Sequence, residues 1–352
     1  NMFAFNSCPP DPAVVGERWK EMWLERLEGS GLWIKTWLEH QRRDDFWKQS
    51  SVCEDYSKIQ VPVYVVSGWA DGYSNTVFRL LENLDVPRKG LIGAWGHKYP
   101  HQESVGSAIG FLSESLRWWD HWLKGIDSGI MDEPPLRVWM QQGVDPLTRE
   151  RPGRWVAEPS WPPPAPETRS YALNRNWLVP TEAAEEPGPW EVISPLSVGL
   201  FAGKWYSYNP QTDLPRDQRE EDGGALVFNS EPLEEPIEIL GQAAVELDLE
   251  VDKPVAQVAV RLSDVGRDAK VTRVTYGLLN LTHREDNEHP TPLEPGRRYR
   301  IRVPMNDIAQ RFDVGHKLRV SISTSYWPLA WPAPEPVRLT LYTGSSRLHL
   351  PI

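Results

Sequence analysis

Residues 59–75 read IQVPVYVVSGWADGYSN, and the reading of this stretch decides the fold. Residues 59–67 form a continuous β-branched run rather than an alternating one, the pattern of a strand buried on both faces of a parallel sheet. The run stops on Gly68-Trp69, and a lone carboxylate, Asp71, follows among small and polar residues. Residues 75–84, NTVFRLLENL, have helical spacing, and KGLIGAWGH at 89–97 is a second short apolar run ending in glycines. SVGSAIGFLSESLRWWDHWLKGI (104–126) then predicts a long helix, with Gly129 soon past its end. Strand, helix, strand, helix is the order of an α/β sheet built with right-handed crossovers.

In open α/β sheets the ligand sits outside the carboxyl ends of the strands. Asp71 and His97 occupy that position on consecutive strands. A carboxylate that orients an imidazole, which in turn takes a proton from a nucleophile, is the base half of a catalytic triad. The order Asp then His also matches the chain order Ser, Asp, His of α/β-hydrolases. The structural readings are a turn-forming or helix-capping Asp and a structural His. No G-x-S-x-G elbow occurs: Ser30 lies in EGSGLW between two helical stretches, and Ser74 lies just past Asp71. A hydrolase reading therefore places the nucleophile upstream of residue 1 or on another chain. His97 and His101 share the H-x-x-x-H spacing of zinc ligands, but Pro100 breaks such a helix and no Glu follows His97, so no metal is expected.

On the N-terminal side, Trp19, Met22, Trp23 and Leu27 recur at helical spacing, and Trp33, Ile34, Trp37 and Leu38 repeat the pattern, which predicts two amphipathic helices between Pro12 and Lys48. Around residue 130 the character changes. AAVELDLEVD, AQVAVRLSDV, VTRVTYGLLNL, RRYRIRVPM and HKLRVSISTS alternate apolar with polar residues, the period of half-buried strands. Many short strands without intervening helices predict a β-sandwich. WPPPAP at 161–166 reads as a stiff loop.

The chain has 352 residues, which favours two domains. Its net charge is −11 with both signs interleaved, leaving no basic stripe for a phosphate backbone and so no nucleic-acid partner. Cys8 and Cys53 are too few for a disulfide framework and lie in no metal-binding pattern. No apolar run approaches the roughly 20 residues that cross a bilayer, so no membrane partner is expected. The N-terminal NMFAFNSCPPDP lacks the order of a signal peptide and does not fix the compartment.

GWADGYSN and GAWGH resemble the Asp and His segments of a hydrolase group that includes cocaine esterase, glutaryl acylase and α-amino acid ester hydrolase, related to X-prolyl dipeptidyl-peptidases. LRWWDHWLKGIDSGIMDEPPLRVWMQQG is similar to the helix that closes the catalytic domain and the strand that opens the next one. DGGALVFNSEPLEEPIEILGQAAVELDLEVD and VGHKLRVSISTS resemble the strands of the group's jelly roll. The resemblance implies the end of a helical cap at 1–50, the C-terminal part of an α/β-hydrolase domain at 51–130, and a C-terminal jelly-roll β-sandwich at 131–352. It implies that Asp71 orients His97, that His97 is general base and then acid, and that Tyr73 and Trp69 face the substrate.

It further implies that the serine elbow, the oxyanion tyrosine and the first sheet strands precede residue 1. The expected partners are then a small ester, amide or peptide substrate and the upstream segment or chain carrying the serine, with a second copy of this chain also allowed, and no cofactor. Two parallel strands with a helix after each cannot cover both faces or satisfy their edge, so residues 1–130 are not expected to fold well alone. One departure is Arg267-Asp268-Ala269-Lys270, where the group usually has an Asp-Gly turn. The rival reading is a non-catalytic jelly-roll binding or subunit-interaction protein carrying a degenerate hydrolase remnant.

Overall fold

The computed structural model describes residues 7–102, 105–164, 166–208 and 210–352. Residues 1–6 of the expected cap segment lie outside the described residues. The chain divides into two compact units, one made of the residues up to Glu54 with Asn287–His289, the other of Asp55–Asp286 with Pro290–Ile352.

The first unit contains helices α1 (Trp19–Gly29), α2 (Trp33–Glu39) and α3 (Asp45–Lys48). The two expected amphipathic helices are present, but none of their residues is buried; Leu24, Ile34, Trp37 and Leu38 are exposed. Local contacts hold the unit. The Asp44 carboxylate caps α3 by accepting from the Phe46 N–H, and the other oxygen takes His40 Nδ1 at 2.7 Å. The Arg43 N–H donates to the Asn287 carbonyl at 2.7 Å, and Glu288 accepts Lys48 at 2.5 Å.

In the second unit, Pro62 has no N–H to give a ladder, and strand β1 starts just after it (Val63–Gly68). Helix α4 (Ser74–Asn83) and strand β2 (Arg88–Gly93) follow, and β1 and β2 pair in parallel from Val63–Arg88 to Gly68–Gly93. The next helix, α5, is shorter than its sequence suggests, spanning Phe111–Lys124. Gly106 at φ +68° breaks the helical path before it, and Gly125 at φ +68° ends it, ahead of Gly129. Strand β3 (Leu136–Gln141) pairs in parallel with β2, and β4 (Gly153–Glu158) returns antiparallel to β3. One sheet thus continues across residue 130.

The rest of the unit is strand after strand: β5 (Thr168–Asn174), β6 (Trp177–Pro180), β7 (Gly188–Val192), β8 (Leu226–Asn229), β9 (Ile237–Gly241), β10 (Ala244–Val251), β11 (Gln257–Val265), β12 (Val271–Asn280), β13 (Tyr299–Pro304), β14 (Ile308–Phe312), β15 (Lys317–Ser323), β16 (Leu339–Thr343) and β17 (Arg347–Pro351). Strands β14 and β9 extend the first sheet, in the order β1-β2-β3-β14-β9. The others form a large sheet whose pairings are antiparallel except for β6 with β8. Alternation does what it predicts: Val245, Leu247, Leu249 and Val251 of β10 are buried between Glu246, Asp248 and Glu250. They join Val258, Val260, Leu262, Val320 and Ile322 in the main core, each such side chain contributing roughly 1.5–3 kcal/mol. A second core packs Val77, Phe78 and Leu81 of α4 on Ile92, Leu136 and Val138.

Two departures have clear causes. The apolar residues of β1 from Val63 to Val66 are only half-buried, because β1 has β2 as its one strand neighbour among the described residues. On the β11–β12 turn, Ala269 takes the left-handed φ of +63° that a glycine would hold more cheaply, while Lys270 N–H donates to the Asp268 carboxylate.

Candidate active site

Where β1 and β2 end side by side, the chain turns twice within a few residues. The Trp69 N–H donates to the Gly93 carbonyl and the Ala70 N–H to the Trp95 carbonyl, so the two strand ends are stitched together beyond their last ladder pair. The Asp71 N–H closes a turn onto Gly68 O at 3.1 Å. These bonds set Asp71 and His97 opposite each other, with His97 Nδ1 3.0 Å from Asp71 Oδ2. The second carboxylate oxygen accepts the Tyr73 N–H at 3.1 Å, which fixes the carboxylate plane.

A carboxylate only accepts, so Nδ1 of the neutral imidazole carries the hydrogen and the basic lone pair lies on Nε2. Asp71 is 11 % exposed at its side chain and His97 37 %, so the carboxylate is covered and the imidazole is open. This is the arrangement a general base needs.

The structure brings Tyr73 to the same place, with its ring centroid 5.6 Å from that of His97. Trp69 is used differently. Its Nε1–H donates to the Trp139 carbonyl at 2.7 Å and its ring stacks on Phe78, tying the end of β1 to β3 and α4.

Sequence reasoning missed the segment Lys204–Tyr208. His97 N–H donates to the Ser207 carbonyl at 2.7 Å, and Ser207 N–H donates to the Ala70 carbonyl at 3.0 Å, so this strap bridges both strand ends. The rings of Tyr206 and Tyr208 lie 5.0 and 5.1 Å from the imidazole, and Trp205 meets Tyr73 edge-on at 4.9 Å. Glycine is required beneath it. A Cβ on Gly72 would come within 2.4 Å of the Trp205 ring, and one on Gly96 within 2.4 Å of Ser207 O. The signal was in the sequence as KWYSY, a run of aromatic residues without strand alternation.

Buried charge anchors the strap. Asp213 accepts Tyr208 N–H at 2.9 Å and pairs with Lys204 at 2.5 Å. Downstream, Glu221 accepts the backbone N–H groups of Gly199 and Phe201, which precede the strap. Asp222 next to Glu221 receives the fully buried Arg261 at 3.0 Å and Arg319 at 2.7 Å, the pairing that a buried ion needs. Among the described residues no hydroxyl or thiol hydrogen-bonds to the His97 ring. His101 stacks on Phe111 at the start of α5, and no group of three or more His, Cys, Asp or Glu among the described residues could hold a metal.

Comparison with known proteins identifies this architecture. Residues 128–350 match the family described as the X-Pro dipeptidyl-peptidase C-terminal non-catalytic domain, and residues 4–99 match X-Pro dipeptidyl-peptidase of the S15 family. Cocaine esterase of a Rhodococcus species is 23 % identical over 328 residues, covering 83 % of this chain and 53 % of the esterase. A Bacillus cereus protein named as an Xaa-Pro dipeptidyl-peptidase is 26 % identical over 295 residues, covering 80 % of this chain and 45 % of that protein. A crystal structure of a CocE/NonD family hydrolase from Staphylococcus aureus superposes with a TM-score of 0.71 at 15 % identity, covering 94 % of this chain and 61 % of the other, which shows a shared fold. The chain spans about half the length of the curated relatives it matches. Because the match over residues 128–350 spans more than half of it, the chain belongs to the family described as the X-Pro dipeptidyl-peptidase C-terminal non-catalytic domain.

Proposed function

We infer that this chain carries the Asp and His of a serine hydrolase that cleaves ester or amide bonds through an acyl-enzyme. One observation carries the reading: the 3.0 Å Asp71–His97 contact at the carboxyl ends of adjacent parallel strands. The serine is supplied by a segment outside these 352 residues or by another chain. Its docking place is the open edge of β1, beside which α5 turns Leu112, Leu116, Trp119 and Leu123 outward at spacings of three and four residues.

In the reaction, His97 Nε2 takes the serine proton as Oγ attacks the carbonyl carbon. Asp71 stabilises the imidazolium, which then protonates the leaving alcohol or amine. Water, activated by the same nitrogen, hydrolyses the acyl-enzyme and regenerates the serine. Tyr73, Tyr206 and Tyr208 wall the substrate side of His97, and the C-terminal strands fold as a jelly roll that delivers two of these tyrosines. The substrates are esters, amides or X-Pro peptides, the classes named for the relatives.

The test is turnover of p-nitrophenyl butyrate and of Gly-Pro-p-nitroanilide by the full-length protein and its His97→Ala variant. The expected outcome is hydrolysis of at least one substrate and a loss of roughly 10³-fold or more in the variant. Equal turnover by both proteins would remove the His97 assignment, and no turnover of either substrate would leave a binding protein.

A further inference from the structure

Beside the strap lies a cavity of about 120 Å³ walled by the chain at the ends of β1 and β3, by β12 and the start of β14, by the strap and by the loop that follows β3. At about 30 Å³ per water this holds about four waters, the size of a carboxylate of a few carbon atoms.

Its wall carries two donors with nothing to donate to. The Arg151 guanidinium lines the cavity without a hydrogen-bond or ion-pair partner among the described residues, and burial pulls it down to about 10, so it is charged at neutral pH. Ser207, 2 % exposed, also lines it, and its hydroxyl has no hydrogen-bond partner among the described residues. Arg151 is half-buried, and a buried hydroxyl left unpaired costs stability unless something fills the space.

The carboxyl groups on the same wall do not neutralise Arg151. Asp71 is bound to His97, Asp213 to Lys204 and Asp264 to His316. Burial pushes Asp307 up to about 7, where it is largely uncharged in mildly acidic solution. Gln141 and Gln310, both buried, complete a polar but uncharged stretch of wall. Guanidinium is the side chain best matched to a planar two-oxygen anion.

We propose that this cavity is a binding site for a small carboxylate anion, held by the unpaired guanidinium of Arg151 and by the Ser207 hydroxyl. Because Ser207 is also the residue whose backbone bridges Ala70 and His97, an occupant touches the strap that positions the imidazole. The site stands whether or not the hydrolase reading does. Its natural occupant is either the acid freed by hydrolysis or an acid taken from solution.

The test is a titration of the full-length protein with [1-¹³C]propionate, followed by NMR, against propionamide as the neutral isostere. The expected result is saturable propionate binding, at least about tenfold weaker propionamide binding, and at least about tenfold weaker propionate binding by Arg151→Gln, the loss expected for one charge-assisted hydrogen bond. If Arg151→Gln does not fold, Arg151→Lys keeps the charge without the fork and is expected to bind several-fold more weakly than the wild type. Propionamide binding as well as propionate, no saturable binding, or unchanged affinity in the arginine variants overturns the proposal. Progress curves of p-nitrophenyl propionate hydrolysis separate the two sources: Arg151-dependent slowing as acid accumulates marks the product, and saturable binding without slowing marks an acid from solution.

Discussion

Two Asp–His pairs of the second unit have nearly the same geometry. His97 Nδ1 lies 3.0 Å from Asp71, and His316 Nδ1 lies 2.9 Å from Asp264. The first joins the carboxyl ends of two parallel strands, its imidazole 37 % exposed and ringed by tyrosines. The second ties the end of β11 to the residue just before β15, with its imidazole 20 % and its carboxylate 4 % exposed. A hydrogen bond between Asp and His is therefore no mark of catalysis by itself. What differs is where the strands deliver it and whether the far side of the ring can meet a substrate.

Neutralising the two carboxylates breaks this comparison most sharply. Asp71→Asn leaves one acceptor oxygen for two donors, Tyr73 N–H and His97 Nδ1–H. The imidazole then settles in the wrong tautomer, and kcat of the full-length protein is expected to fall by roughly 10³–10⁴-fold. Asp264→Asn is expected to leave kcat within about threefold, since nothing at that pair faces the reacting groups. Steady-state kinetics on both variants decides it; equal losses would mean that the strand-end position has no privileged role.

A smaller effect comes from the glycine packed against each pair. In Gly96→Ala the new Cβ would lie 2.4 Å from Ser207 O, and in Gly143→Ala 2.4 Å from an Asp264 carboxylate oxygen. The first must push the strap off His97, and a displacement of this kind is expected to cost about 10²-fold in kcat/KM. The second must move the Asp264 carboxylate, at a cost of about 1–3 kcal/mol in stability, with kcat/KM unchanged. Urea unfolding and kinetics on the same two variants would show whether the two pairs separate into an activity effect and a stability effect. An activity loss in Gly143→Ala as deep as in Gly96→Ala would erase the distinction.

The first pair was legible in the sequence because its cues are local. An unbroken β-branched run ending in glycine, followed at once by a carboxylate, and a second run ending at GAWGH place Asp71 and His97 without any long-range information. The second pair was not legible: Asp264 and His316 are 52 residues apart and meet through antiparallel pairing of β11 with β15, whose register period-two alternation does not reveal. The strap was missed for the same reason, since KWYSY announces aromatic surface but not its destination. The start of α5 was misplaced because apolar spacing around Gly106 outweighed the glycine's positive φ, which only the folded chain displays. Likewise β1 was read as buried on both faces from its composition, although burial depends on neighbours that composition does not contain.

The second pair carries a pH signature of its own. Burial raises the Asp264 carboxyl above its ordinary value, and Asp313 pushes the same way, while His316 pulls it down and does not fully offset them. An acid whose folded value lies above its unfolded value of about 3.9 binds more protons in the folded state. Its protonated form therefore stabilises the fold below that value, and the benefit disappears as pH rises through the folded one. Asp264→Asn has no such proton to lose. Relative to that variant, the wild type is expected to lose Tm progressively as pH rises above about 4, by a few degrees at most, in thermal melts of both proteins at matched ionic strength. A difference that stays flat with pH, or that grows in the opposite direction, would mean that His316 compensates the burial of Asp264 completely.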